Sequence, residues 1–135
     1  MKNQTLSIEQ MMHLKELGVN TSRASMCWLH LNLLDEKFVL TVNDQYARYA
    51  DVELIPAFTF QDIIEILPES IPIDEYDSPD DEARLFINKR VCRYTYEDYE
   101  GCPLYIGSGE NGNNVLESAY NLFRWCEENG YLNKQ

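Results

Sequence analysis

The stretch that decides the fold is SMCWLHLNLLDEKFVLTV, residues 25–42. In its first half every second residue is apolar, a period of two that is typical of a β-strand with one buried face. The polar group Asp35–Lys37 predicts a turn, and Phe38–Val42 predicts the returning strand. Strands joined by so short a turn run antiparallel, so we predict a hairpin. The buried face of its first strand is formed by Cys27, Leu29, Leu31 and Leu33.

Upstream of this hairpin, residues 7–17 have the pattern of a helix. Ser7 can cap its first turn, and Gln10 stands at the capping-box position. Gly18 follows the last turn and is expected to end the helix. The broad apolar side of this helix consists of Ile8, Met11, Met12, Leu14 and Leu17.

Two further helices are predicted downstream. TFQDIIEIL begins at Thr59, which can cap it, and Pro68 prevents its continuation. Residues 114–129 carry a regular apolar stripe, with an asparagine at the start and Gly130 at the end.

The remaining strands are predicted in the second half of the chain, whereas residues 43–52 are predicted to form a loop. RLFINKRVCRYTYED, residues 84–98, reads either as one long strand with a bulge or as two short ones, and CPLYIG, residues 102–107, as another. A short strand is also considered at Ile71–Ile73. The predicted order is αββαββα. Because the strands arrive in hairpins, we predict an α+β fold with antiparallel hairpins and with helices packed on the sheet.

The first two helices open on the same pattern of residue types, SIEQMMHL and TFQDIIEI, and each precedes a predicted strand pair. A duplicated helix–hairpin unit explains this similarity, but so does capping, since helix N-termini converge on such patterns. Both explanations stay open.

Length and composition are those of a globular protein. With 135 residues, 44% of them hydrophobic, we expect one compact domain over residues 1–135, with an acidic connector at about 68–83. No apolar run approaches the roughly 18 residues that span a bilayer, and the N-terminal residues lack the apolar core of a signal peptide. We therefore expect a cytoplasmic protein that does not interact with membranes.

The negative charge is concentrated in one segment. The formal net charge is −12, and residues 49–83 alone contain eleven acidic side chains and no basic one. This segment would repel a phosphate backbone, so direct nucleic-acid binding is not expected. It is either a solvated loop or a docking surface for a basic partner. The candidate partner-binding acids are Asp74, Glu75, Asp77, Asp80, Asp81 and Glu82.

A literal G-x-G-x-x-G occurs at Gly107, Gly109 and Gly112, between a predicted strand and a predicted helix. A dinucleotide fold requires a further parallel strand after that helix, with an acidic residue to hold the ribose. The helix reaches about residue 129 of 135, which leaves no room for the strand. We interpret these glycines as a turn and expect no cofactor.

No catalytic, cofactor-binding or metal-binding residue is predicted. The cysteines, at positions 27, 92, 102 and 126, form no C-x-x-C, and His13 and His30 complete no zinc-ligand spacing. Reduced thiols packed as small apolar groups are expected. The acidic residues from Asp74 to Glu82 lack the glycine and the spacing of an EF-hand loop, so no Ca²⁺ site is expected.

Tyrosines give the one positive indication of a binding surface. The chain has nine, and Tyr94, Tyr96 and Tyr99 lie among Thr and acidic residues. On a strand, Tyr94 and Tyr96 share a face with Cys92. If that face is uncovered, its rings are of the kind enriched in protein contacts; otherwise it is core, with hydroxyls at the rim.

The segments LSIEQMMHLKELGVNTSRASM, IPAFTFQDIIEILPESI and LESAYNLFRWCEENGYL together resemble small uncharacterised proteins carried by phages, prophages and mobile elements of gut bacteria. They cover somewhat under half of the chain and are helical signatures. The resemblance implies a cytoplasmic protein associated with a bacterial mobile element. That group has no assigned activity, so the resemblance implies no site residues.

Three functions follow as hypotheses. The first is a non-enzymatic protein-interaction domain that binds another protein or itself. The second is an acidic mimic of nucleic acid that inhibits a host DNA- or RNA-binding protein, which requires carboxylates spread over a surface like phosphates. The third is an enzyme on an unfamiliar scaffold, which requires a deep pocket with converging reactive groups.

Overall fold

The structure is a computed structural model, and it describes residues 5–32, 35–43, 53–72, 82–97, 103–106 and 114–132. The chain divides into two compact units, residues 1–63 and residues 64–135, and each is described by itself. The sequence-based prediction that all 135 residues form a single domain stays a prediction.

The first unit contains one helix and a three-stranded antiparallel sheet. Its sheet has the order β2-β1-β3, so the strand that opens the predicted hairpin lies in the middle. A second helix, α2, begins in this unit and ends in the next. The elements are α1 (Ile8–Glu16), β1 (Met26–Asn32), β2 (Asp35–Val42), β3 (Glu53–Ala57) and α2 (Phe60–Ile66).

Helix α1 begins and ends where the capping residues predict. The Ser7 side chain accepts a hydrogen bond from the Gln10 backbone, and the Gln10 side chain accepts one from the Ser7 backbone, which completes a capping box. Gly18 follows the helix with φ of 91°, a left-handed conformation that glycine adopts without strain. The helix therefore has both its terminal signals in the sequence.

The alternation of β1 corresponds to two differently covered faces. Cys27 and Leu29 are buried and pack with Leu54 of β3. On the opposite face Trp28 is half-buried, and its indole Nε1 donates a hydrogen bond to the carbonyl of Leu6 at 3.2 Å. This bond ties the segment before α1 to the central strand.

A buried carboxylate joins the start of α2 to the start of β1. Asp62 Oδ2 accepts hydrogen bonds from the backbone N–H of Ser25 at 2.9 Å and from its hydroxyl at 2.8 Å. The same oxygen accepts the backbone N–H of Thr59 at 2.9 Å, and Thr59 Oγ1 accepts the N–H of Asp62 at 3.1 Å. Thr59 thus caps α2 as predicted, and its capping box also holds a distant segment in place.

The second unit contains a four-stranded antiparallel sheet in the order β4-β5-β6-β7 and a long helix. The 3-residue β4 lies at one edge, and β5 and β6 form a tight hairpin in the middle. The elements are β4 (Ser70–Pro72), β5 (Glu82–Ile87), β6 (Cys92–Glu97), β7 (Pro103–Ile106) and α3 (Val115–Glu128).

Helix α3 packs on β6 by its apolar stripe. The Asn114 side chain caps it by accepting the N–H of Glu117, and Gly130 ends it with φ of 76°. Ser118, buried on this stripe, accepts a hydrogen bond from the backbone N–H of Cys92 at 2.9 Å. The buried residues of the helix are Leu116, Ser118, Ala119, Tyr120, Leu122, Phe123 and Cys126.

The structure confirms the α+β class, the antiparallel hairpins and the packing of a helix on a sheet. The described residues form seven strands, whereas the predicted αββαββα order has four. The additional strands are β3 after the first hairpin and β4 before the second, and the segment that begins at Arg84 contributes to two strands, β5 and β6, which was the second of the two readings. The sequence of β3, ELIPA, includes Pro56, and proline within an apolar run argues against a strand unless the strand lies at a sheet edge. That is the position of β3. Among the described residues, no helix has the length and apolar character needed to cross a membrane.

Candidate functional site

The predicted binding residues fall into three groups. Tyr94 lies in β6 with its side chain fully buried. Glu82 is exposed at the first position of β5. Tyr96 belongs to β6, but its side chain lies outside what the structure describes, as do Tyr99 and the acids Asp74, Glu75, Asp77, Asp80 and Asp81, together with the glycine loop at 107–112.

Tyr94 is part of the core of the second unit. Its hydroxyl donates a hydrogen bond to the backbone carbonyl of Pro68 at 2.6 Å. The Cys126 thiol donates to the Tyr94 hydroxyl oxygen at 4.0 Å. The face that Tyr94 shares with Cys92 is therefore core at these two positions, with the phenol oxygen paired to the backbone. A partner cannot reach this ring while the unit is folded.

Burial suppresses ionisation in this cluster. Desolvation, and then the neighbouring Cys126, raises the pKa of the Cys92 thiol to about 12. Burial raises the pKa of Cys126 to about 12, and burial followed by Cys126 raises the pKa of the Tyr94 hydroxyl still further. Because the thiolate is the reactive form, these thiols are unreactive near neutral pH. The cluster is structural.

The histidines have ordinary environments. The imidazole of His30 stacks on Phe38 of the adjacent strand with ring centroids 5.1 Å apart, and its side chain is half-buried. His13 lies in the last turn of α1. Over the described part of the chain, no cluster of three or more His, Cys, Asp or Glu side chains has the arrangement of a metal site.

The best candidate for a functional site is a groove between α1 and β3 in the first unit. Its volume is about 460 Å³, which lies within the roughly 300–1,000 Å³ typical of ligand sites. Its walls are mostly apolar, with one basic and one acidic side chain. They are formed by Met11, Met12, Lys15 and Glu16 of α1, by Thr21 after the helix, and by Leu54, Ile55 and Pro56 of β3.

The two methionines have different roles in this groove. Met11 is buried, and its sulfur accepts the backbone N–H of Phe58 at 3.3 Å, so it fixes α1 against the end of β3. Met12 is 53% exposed. Methionine is flexible and polarisable, and it is common on surfaces that adapt to a protein partner. Met12 thus forms an adaptable wall.

The groove faces the outer edge of β3. Successive residues of a strand point to opposite faces, so a groove lined by Leu54, Ile55 and Pro56 together must lie beside the strand, at its edge. Next to it, Leu6 donates its backbone N–H to the carbonyl of Phe58 at 2.9 Å on this same edge. By strand alternation, the backbone groups of Leu54 and Pro56 point to that edge as well.

Sequence reasoning did not find this site. The apolar side of α1 was recognised, including Met12, but a helical pattern does not tell which apolar residue stays exposed. The other wall, β3, was not assigned as a strand. Its proline was the available signal, since proline inside an apolar run indicates an edge strand.

Comparison of the chain with protein-family models, with curated proteins and with solved structures gives no match.

Proposed function

We propose that this protein is a non-enzymatic protein-interaction domain, and that it binds an extended apolar segment of a partner protein in the groove between α1 and β3. The observation that carries the proposal is a mostly apolar groove lined by residues of α1 and of the edge strand β3, with Met12 exposed. An extended segment can add to such an edge through backbone hydrogen bonds while its side chains fill the groove.

The chemistry of the groove favours binding over catalysis. Its charged residues are Lys15 and Glu16, which are adjacent in sequence and exposed. Neither is held in a low-dielectric environment of the kind that prepares a side chain for acid–base catalysis. The raised pKa values of Cys92, Tyr94, Cys126 and Tyr120, by contrast, result mainly from burial in the second unit.

Pro56 limits the number of backbone bonds. It has no N–H to donate, so the available groups of the edge are the N–H and carbonyl of Leu54 and the carbonyl of Pro56. Proline also discourages uncontrolled strand addition between copies of the protein. Over the described part of this edge, we therefore expect a short segment to bind with moderate affinity, with its specificity determined by the side chains that enter the groove.

The sequence-based proposals on localisation and origin are compatible with this function but do not specify it. A cytoplasmic protein of a bacterial phage or mobile element, without direct contact to nucleic acid, is compatible with a protein partner. The nucleic-acid mimic stays an alternative proposal, and five of the six acids on which it depends most lie outside the described residues.

The test is selection of random peptides displayed on phage against the intact protein, followed by binding titrations. We expect selected peptides to have apolar residues at alternate positions, because an extended strand presents every second side chain to one side. Met12→Glu should weaken their binding at least about tenfold, or about 1.4 kcal/mol. Val42→Glu is the matched control, since Val42 is 56% exposed on β2 and does not line the groove. Peptides that bind both variants equally well would reject the groove as the site.

A further inference from the structure

A second surface of the molecule has the opposite charge to the chain as a whole. The eleven residues from Ala83 to Arg93 contain four of the 11 basic side chains and no acidic one, in a chain of net charge −12. They form β5, the turn and the start of β6. We name Arg84, Phe86, Lys89, Arg90 and Arg93 the basic hairpin surface.

The turn of this hairpin is built to hold its tip in one conformation. Asn88 Oδ1 accepts the backbone N–H groups of Arg90 and Val91, both at 2.8 Å, and the N–H of Asn88 donates to the carbonyl of Val91 at 3.0 Å. An asparagine that closes a turn in this way fixes the backbone. Lys89 and Arg90 are consequently presented to solvent from a defined turn, and both are exposed.

The two strands of the hairpin, β5 and β6, add a face with Phe86 at its centre. Phe86 pairs with Arg93 across the hairpin, and Arg84 lies two residues before Phe86 and so on the same face. This face is opposite to the one that buries Cys92 and Tyr94. Phe86 is 42% exposed, and the guanidinium of Arg93 lies 5.6 Å from its ring centroid.

Three cations of this surface, Arg84, Lys89 and Arg90, are exposed to solvent. Arg84, Lys89 and Arg90 form no ion pair with a carboxylate in the described part of the chain, whereas Arg124 does so with Glu128 at 3.9 Å. The planar guanidinium of arginine can form two parallel hydrogen bonds with a carboxylate, and an exposed phenylalanine adds apolar contact area. The surface thus combines sites for several carboxylates with one for an apolar side chain.

We propose that the basic hairpin surface binds an acidic segment of a partner protein, one that carries an apolar residue among its carboxylates. The net charge of −12 repels any long polyanion, so the small size of the surface favours a short acidic peptide over nucleic acid. A phosphate strand continues beyond the hairpin and meets the negative field of the rest of the chain, whereas an acidic peptide segment can be as short as the surface. This proposal does not depend on the α1–β3 groove.

The probe is a short fluorescein-labelled peptide of glutamates with a central leucine, titrated with the full chain and followed by fluorescence anisotropy. We expect saturable binding that weakens as salt rises, because exposed charges are screened. Arg90→Glu should weaken it at least about tenfold. Arg23→Glu makes the same change of charge at an exposed position of the first unit and should leave the affinity unchanged. Phe86→Ala should weaken the leucine-containing peptide but not an all-glutamate peptide.

Several results would overturn the proposal. Absence of saturable binding at low salt is one, and an equal effect of Arg23→Glu, which indicates general attraction, is another. Tighter binding of single-stranded DNA with the same number of charges would identify a nucleic-acid surface instead. A concentration-dependent rise of mass in light scattering that Arg90→Glu abolishes would identify a second copy of this chain as the occupant.

Discussion

Replacing the buried Asp62 by alanine should strongly destabilise the first unit. One carboxylate oxygen accepts three hydrogen bonds there, two from Ser25 and one from Thr59, at 2.8 to 2.9 Å. Asp62 is 8% exposed, so its carboxylate depends on these bonds more than on water. The change removes the bond from Thr59 to the Asp62 carboxylate and the link to the start of β1, whereas the backbone N–H of Asp62 can still donate to Thr59 Oγ1.

The magnitude follows from these contacts. Three hydrogen bonds to the carboxylate are lost, and hydrogen bonds to a charged group are worth about 1.5–3 kcal/mol each before any replacement by water. Ser25 is exposed, and its donors regain water, so most of their contribution is recovered. We expect Asp62→Ala to lower the free energy of unfolding by about 2–4 kcal/mol. Asp62→Asn keeps an accepting oxygen without its charge and should cost about 1 kcal/mol.

The assay is urea unfolding followed by the fluorescence of Trp28, in a Trp125→Phe background that leaves one tryptophan. With a slope of about 1–3 kcal/mol per molar urea, the midpoint should fall by roughly 1–2 M. Glu69→Ala removes an exposed carboxylate and is the control. If Asp62→Ala shifts the midpoint no further than Glu69→Ala does, the interpretation of this contact as a structural link is refuted.

Three further predictions concern both units. The free energy of unfolding should fall as pH rises from about 9 towards 12, because the Cys92 and Cys126 thiols lose protons near pH 9 when unfolded but only near 12 when folded. Cys126→Ala should show a smaller fall. If the dependence of the free energy of unfolding on pH is the same in this variant, the shifted pKa is contradicted. Gly130→Ala should cost about 1 kcal/mol in thermal or urea unfolding, since φ is 76° and no atom lies within 4 Å of the added methyl, so backbone strain is the whole effect. If residues 1–135 form a single cooperative domain, the urea midpoints reported by Trp28 and by Trp125, which lies in the second unit, should coincide after correction for the stability of each single-tryptophan variant; separate transitions would show two domains.

Local signals made the helices and the main hairpin predictable. Ser7 with Gln10 and Asn114 with Gly130 mark helix ends by chemistry that acts within a few residues, so the sequence contains the whole cause. The alternation from Cys27 to Leu29 similarly determined a buried face.

Interactions between distant residues were not predictable in the same way. Whether Tyr94 lies in the core or on a binding surface depends on helix α3, which reaches it through Cys126, 32 residues later in the chain. The groove depends on an edge strand whose proline weakened its strand pattern. The basic hairpin surface corresponds to four basic residues among the eleven from Ala83 to Arg93. The net charge of −12 is a sum over the whole chain and does not reveal this local excess of positive charge.

The central claim is that a partner segment occupies the groove between α1 and β3, and methionine-methyl NMR tests it most directly. The chain has four methionines, of which Met11 and Met12 line the groove and Met26, on β1, does not. On titration of protein labelled with ¹³C at the methionine methyl groups with a selected peptide, the Met12 resonance should move the most, that of Met11 should move less, and that of Met26 should stay in place. A saturating peptide that leaves the Met12 resonance unmoved, or that moves Met26 instead, would contradict the claim.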